Sequence, residues 1–212
     1  MIIAIDGTTA SGKGTIARRL AGHFGLPHMD TGRLYRAVAV AALKKGVPLD
    51  EAGALADLAR MLDLADFVEH ELRSAEAGKA ASVVAAIPSV RQALFELQRA
   101  FATRAGGALL DGRDIGTVIA PDADVKLWVD ADVRQRGERR WKELVGNGET
   151  VTLDQVIEQL KIRDARDQGR ADAPATIAAD AILIDTTDLT IDAAVERAMA
   201  AVEAALAKGK TA

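Results

Sequence analysis

Gly7-Thr8-Thr9-Ala10-Ser11-Gly12-Lys13-Gly14-Thr15 decides the fold. The apolar run Ile2-Ile3-Ala4-Ile5 precedes it, and Ile16, Leu20 and Phe24 follow at helical spacing. A strand, a glycine-rich loop and a helix in that order turn successive backbone N–H groups toward phosphate oxygens. The positive end of the new helix dipole faces the same point. Lys13 adds a charge within reach of β- and γ-phosphates, so a nucleoside triphosphate is the expected ligand of all nine residues. The hydroxyl that usually follows the lysine directly arrives one place later, at Thr15, because Gly14 intervenes.

Composition bounds the rest. With 212 residues, 49% hydrophobic and 27% charged, the chain has the make-up of one globular domain over 1–212. No apolar run reaches the length of a membrane span and no signal segment opens the chain, so a cytoplasmic location is expected. Cysteine is absent, which excludes disulfides and thiol chemistry, and His23, His28 and His70 lack metal-ligand spacing. A net charge of −4 and only 3% aromatic residues argue against a nucleic-acid partner. Eighteen of the 27 basic residues are arginine, the side chain suited to bidentate phosphate recognition. No exposed apolar stripe asks for a partner chain, and a monomer is expected.

Apolar strands beginning near residues 2, 27, 107, 124 and 181 alternate with helical patterns, which predicts an α/β fold with a five-stranded parallel sheet covered on both faces. Helices are expected over 33–45, 51–64, 80–86, 88–102, from 133, from 153 and over 191–206. The helix from Pro88 is expected to bury Leu94, Leu97 and Phe101. Residues 65–79 have no clean period and are expected to form an irregular connection. Ligands of such sheets lie at the carboxyl ends of the strands, where Gly7, Asp30-Thr31, 111–114 and Asp185 fall.

Three constellations there suit phosphoryl transfer. Asp111 ends a strand beside the phosphate loop, where it and Thr15 could hold magnesium directly or through water. Arg136, Arg139 and Arg140 share a helix face beside Gly146-Asn147-Gly148, as a lid over residues 134–150 would require. Arg163, Asp167 and Arg170 share another face, with no apolar residues over the same turns. The transition state spreads negative charge over non-bridging oxygens, so guanidinium groups placed around it are the natural catalysts.

Assembled, these pieces resemble the bacterial cytidylate kinases from residue 2 to about 202. The likeness rests on Ile5-Asp6-Gly7 through Gly12-Lys13-Gly14-Thr15, Asp30-Thr31-Gly32-Arg33-Leu34-Tyr35-Arg36, Ala81-Ser82 and Ile87-Pro88-Ser89-Val90-Arg91 with Gln98-Arg99. It continues through Asp111-Gly112-Arg113-Asp114-Ile115-Gly116-Thr117, Arg163-Asp164 to Arg170, Ala173-Pro174 and Ile184-Asp185-Thr186-Thr187. The resemblance implies ATP as donor, CMP or dCMP as acceptor, magnesium, and no covalent intermediate. It implies that Ser82, Arg91 and Asp114 read cytosine and that Arg163 and Asp167 hold the sugar. Thr31, Arg36, Arg113 and Arg170 would surround the acceptor phosphate or the transferring group. An acceptor-binding insertion is implied over about 36–105, although the stretch 64–80 is shorter than such an insertion usually shows. Ala10 stands where the family often has glycine, which is tolerated at negative φ, and Thr31 replaces a frequent serine. Rival readings are a kinase of UMP, AMP or another small acceptor, and a nucleotide-dependent switch. The chain has no Asn-Lys-x-Asp guanine-reading sequence, and a switch does not need two arginine clusters beyond the phosphate loop.

Overall fold

The computed structural model describes residues 1–209. Five strands, β1 (Ile2–Gly7), β2 (His28–Asp30), β3 (Ala108–Gly112), β4 (Val125–Asp130) and β5 (Ile182–Asp185), form one parallel sheet in the order β2-β3-β1-β4-β5. The central strands are near-continuous apolar runs, as strands covered on both faces must be. Ile3 and Ile5 of β1 face a core shared with α1 (Lys13–Phe24) and α9 (Ile191–Gly209). Ala4 between them faces the opposite core, with Leu110, Ile115 and Ile119.

A second, all-helical core lies beyond the β2 edge. It is built by α2 (Thr31–Lys45), α3 (Ala52–Arg60), α5 (Ala75–Val84) and α6 (Pro88–Ala102), around Leu34, Val38, Leu55, Val84, Val90 and Leu94. Asp30 caps α2 by accepting from Arg33 N at 3.2 Å, so the helix begins at Thr31, two residues earlier than its pattern predicts. α7 (Val133–Gly146) and α8 (Leu153–Gln168) form a hairpin with its own small cluster of Leu144, Val156 and Leu160. Thr152 and Gln155 close a reciprocal capping box at the start of α8.

Residues 65–79 are a correction. They are not an irregular connection but a 3₁₀ turn at Leu64–Asp66, a short α4 (Glu69–Arg73) and the first half of α5. Ser74 caps α5 by accepting from Ala77 N at 3.1 Å. The residue α5 buries there is Ala77, whose small side chain carries too little hydropathy to show a period beside Glu76 and Lys79. α3 also stops at Arg60, short of residue 64. Leu97 of α6 is exposed, and the buried stripe runs instead through Val90, Arg91, Leu94, Gln98 and Ala102. A polar glutamine takes the inward position because its amide donates to Leu94 O at 3.0 Å.

Candidate active site

All five strands end on one side of the sheet, and most of the candidate side chains gather there. The loop 7–15 leaves β1 so close to β4 that a Cβ at Gly7 would lie 1.9 Å from Val129 O, at a φ of 151°. Glycine is obligatory at such a position. Thr8 donates from its hydroxyl to Asp130 Oδ1 at 2.6 Å, and Ser11 donates to Thr8 O at 2.9 Å. These bonds leave the loop's backbone free to face a ligand. Ala10 corrects an expectation: its φ is 61°, in the left-handed region, not negative. Its methyl packs against the Leu144–Val156–Leu160 cluster of the α7/α8 hairpin, a contact glycine could not make.

A cavity of about 340 Å³ opens on this loop and brings together Lys13, Thr15, Arg36, Asp111, Arg140 and Arg163. Burial pushes the Lys13 amine down to about 7, helped by Arg113 and opposed by Asp111 and Asp30. Asp30 stays below the usual carboxylate range: burial pushes it up, but Arg36 and Lys13 outweigh that. Asp111 receives His28 Nε2 at 2.7 Å on Oδ1, while Oδ2 faces Gly14. Thr15 Oγ1 accepts from Arg18 Nη2 at 3.2 Å. Among the described residues no group of three or more His, Cys, Asp or Glu side chains could hold a metal. One carboxylate and one hydroxyl are nevertheless a sufficient protein share for magnesium, which completes its shell with phosphate oxygens and water.

A second cavity of about 370 Å³ adjoins the loop at Ala10, Ser11, Gly12 and Thr15 and continues past Arg139 to Thr186, Leu189, Ile191 and Ala194. Sequence reasoning missed this apolar slot. Its signal was the Thr186-Thr187 stretch after β5, followed by Leu189 just before the expected helix and Ile191 at its start.

The third cavity, about 50 Å³, lies on the other side of Lys13 and is ringed by Thr31, Tyr35, Arg36, Arg91, Arg113, Asp114, Arg163, Asp167 and Arg170. Arg91 donates to Asp114 Oδ2 at 2.5 Å and to Tyr35 Oη at 3.4 Å, and its Nε lies 3.4 Å from Asp172 Oδ2. Asp167 binds Arg113 Nε at 3.0 Å and Arg170 Nη2, with Arg163 Nε 3.9 Å away. Burial pushes this carboxyl up, yet Arg113, Arg163 and Arg170 together hold it below its ordinary value. Burial, and then Arg113, bring Arg163 down to about 9. Among the described residues nothing accepts from the buried Nε of Arg163 or Arg170. Several guanidiniums crowded around one carboxylate, two with idle donors, make a site that favours an anion. Thr31 also lies here, its hydroxyl donating to Asp111 O at 2.9 Å.

Ser82 is placed elsewhere. It accepts from Arg166 Nη1 at 2.8 Å and lines a fourth cavity of about 220 Å³ between α5 and α8, away from the cavity of Arg91 and Asp114. The three arginines expected in a lid divide their contacts. Arg136 is buried, donating to Ala131 O, to Thr9 O at 3.2 Å and to Asp164 at 2.7 Å. Arg139 donates to Ser11 O at 3.4 Å and Thr186 O at 2.6 Å, so it seams the loop to β5. Arg140 bonds Glu143 at 2.8 Å and faces the first two cavities. Tyr35 and Asp30 also line the site, and neither was among the predicted contacts.

Known proteins resemble this chain over nearly its whole length. A family model described as cytidylate kinase matches residues 3–204. A cytidylate kinase of Methylocella silvestris is 58% identical over 97% of this chain and 95% of its own length. One of Xanthobacter autotrophicus is 54% identical over 96% and 98%. Among solved structures, an uncharacterized protein from Eubacterium ventriosum matches 96% of this chain and 98% of its own at a TM-score of 0.54 and 16% identity, which speaks to the fold alone. With a family match over nearly the whole length and relatives above half identity, the chain belongs to the cytidylate kinase family.

Proposed function

We propose that this chain transfers the γ-phosphoryl group of ATP to CMP or dCMP, giving CDP or dCDP. The observation that carries the reading is the adjacency of two unlike cavities across Lys13. One is a backbone cradle with an apolar slot, and the other is a ring of arginines around Asp114 and Asp167. The loop 7–15 holds the triphosphate, and the slot lined by Leu189 and Ile191 takes the donor base. Asp114 accepts from the exocyclic amine of cytosine, where uracil would present an acceptor oxygen against the carboxylate. Arg163 and Asp167 face the sugar. Thr31, Arg36, Arg113 and Arg170 face the acceptor phosphate and the group in flight.

No general base is required, because the attacking oxygen belongs to a phosphate already ionised at neutral pH. Catalysis is therefore positioning and charge neutralisation. Thr15 and Asp111 are the residues that would hold magnesium, which when bound offsets charge on the donor phosphates. Helices α2–α6 serve as the acceptor-holding insertion and residues 134–150 as the lid. Arg140 is the lid arginine that faces the phosphates, and Arg136 and Arg139 fasten the lid to the loop. We place the protein in the cytoplasm as a monomer acting on small nucleotides. Among the described residues no single helix is long and apolar enough to cross a membrane.

ADP release measured with magnesium ATP and CMP, dCMP, UMP or AMP in turn tests the proposal. Strong turnover with the two cytidylates alone is expected. Turnover mainly with UMP or AMP would keep the phosphotransfer but overturn the base pocket, and acceptor-independent hydrolysis would point to a switch.

A further inference from the structure

Asp6 is a buried carboxylate that lines none of the cavities described above. It stands at the end of β1, immediately before Gly7. Its Oδ1 accepts from Ile115 N at 2.8 Å and its Oδ2 from Gly116 N at 2.7 Å. Those two N–H groups open the π-helical turn Ile115–Ile119 that follows Asp114. The segment between, Arg113-Asp114, is thus held at both ends by one residue. Asp6 pairs with Gly112 in the β1–β3 register, and its carboxylate grips the two amides beyond Asp114.

The grip is close on the far side as well. A Cβ at Gly116 would lie 3.1 Å from Lys126 Cδ and 3.4 Å from Asp6 Oδ2, so a side chain there would press on Lys126 and touch the carboxylate. On the near side Arg113 Nη2 donates to Thr9 Oγ1 at 2.7 Å, inside the loop that begins one residue after Asp6. One side chain therefore ties the start of the donor loop to the two residues assigned to acceptor phosphate and cytosine.

We propose that Asp6 is a positioning residue that fixes Arg113 and Asp114 relative to the phosphate loop, and so sets base discrimination without touching either nucleotide. This rests on the roles proposed above for Arg113 and Asp114. A carboxylate supplies two acceptor oxygens for two N–H donors, whereas an asparagine supplies one, and its amide nitrogen would face the second donor.

The experiment compares wild type with Asp6→Asn, measuring KM for CMP and for ATP and the ratio of kcat/KM for CMP over UMP. Losing one partner of a buried hydrogen bond is expected to raise KM for CMP about tenfold and lower the CMP-over-UMP ratio about tenfold. KM for ATP is expected to stay within about threefold, since the loop's own bonds are untouched. Equal change in both KM values, or a lowered melting temperature with an unchanged ratio, would make Asp6 a folding residue only and overturn the proposal. Gly116→Ala approaches the same contact from the other side and keeps the test open if Asp6→Asn does not fold. It should lower the ratio in the same direction, and an unchanged ratio there also overturns the proposal. A wild-type enzyme without cytidylate turnover would instead remove the functional reading itself, so the two failures are distinct.

Discussion

The donor and acceptor sides of this protein are built by opposite means. The proposed donor side is nine consecutive residues whose backbone would do the binding, with bonds such as Ser11 to Thr8 O shaping the loop from within. The acceptor side collects Thr31, Tyr35 and Arg36 from α2, Arg91 from α6, Arg113 and Asp114 after β3, and Arg163, Asp167 and Arg170 from α8 and beyond. Those side chains pair with one another around Asp114 and Asp167, keep idle donors on Arg163 and Arg170, and leave only about 50 Å³ between them. A backbone cradle reads charge and shape and tolerates most side-chain changes. A mutually bonded ring reads identity and transmits any change around itself.

Lys13 is the exception on the donor side and the first place to test the contrast. It is the loop's one charged side chain and adjoins both cavities. Lys13→Ala is expected to lower kcat/KM about a thousandfold with the fold intact, as loss of a preorganised charge at a transferring phosphoryl group does. Steady-state kinetics with circular dichroism as the folding control would check it. A drop under tenfold would mean that the backbone alone does the work.

Asp114→Asn sharpens the comparison from the acceptor side. Its kcat/KM for CMP is expected to fall about a hundredfold while ATP affinity changes by no more than a few-fold, because a misplaced polar contact is felt only by the nucleotide it faces. Isothermal titration with each nucleotide separates the two. Equal weakening of ATP would show that Arg91, released from Asp114, disturbs more than its own pocket.

The same difference in construction explains what was legible in the sequence. Phosphate loops are contiguous, so 7–15 announced itself, as did the five apolar strands on which the sheet rests. The acceptor ring is contiguous only in space. Most of its residues are named only through resemblance, and their pairings, such as Arg91 with Tyr35 or Arg113 with Asp167, have no signature along the chain. The first half of α5 reads as irregular because alanine is what it buries, and Leu97 is misplaced because a bonded glutamine takes the inward position. Asp6 carries no sign of its role along the chain, since nothing local to it reveals amides more than a hundred residues away.

A pH series probes the link between the two sides. Burial pushes Asp6 from 3.8 up to about 7. The Gly116 and Ile115 amides work against this, Asp114 adds to it and Arg113 opposes it. Lys126, the other charged side chain packed there, turns its amine to Asp180 at 2.9 Å. If the charged form alone grips both amides, the competent fraction falls about tenfold from pH 8 to pH 6, and KM for CMP rises accordingly. Stability runs the other way. The folded state holds this proton more tightly than the unfolded chain, so its contribution is fully present below 3.8 and is lost as pH rises through about 7. Asp6→Asn should flatten both profiles. A CMP profile in the variant that still parallels wild type would assign the titration to the nucleotide phosphate instead.

The smallest effect is expected at Ala10, and its smallness is the informative part. A left-handed alanine costs roughly 1–2 kcal/mol, which Ala10→Gly would relieve. The same substitution gives the unfolded chain more freedom, worth about 0.4–1 kcal/mol, and strips a methyl worth up to about 0.8 kcal/mol from the Leu144–Val156–Leu160 cluster. The gains and losses nearly cancel, so melting temperature should move by no more than about 3 °C. The two sides of that balance act in different places, however. The relieved strain belongs to the loop, and the lost methyl belongs to the seam between the loop and the α7/α8 hairpin. Ala10→Gly should therefore leave stability level while hydrogen exchange in α7 and α8 speeds up, because the hairpin keeps its polar anchors through Arg136 and Arg139 but loses its apolar one. Unchanged exchange with a raised melting temperature would show instead that the methyl contributes nothing and that the loop merely tolerates a strained alanine.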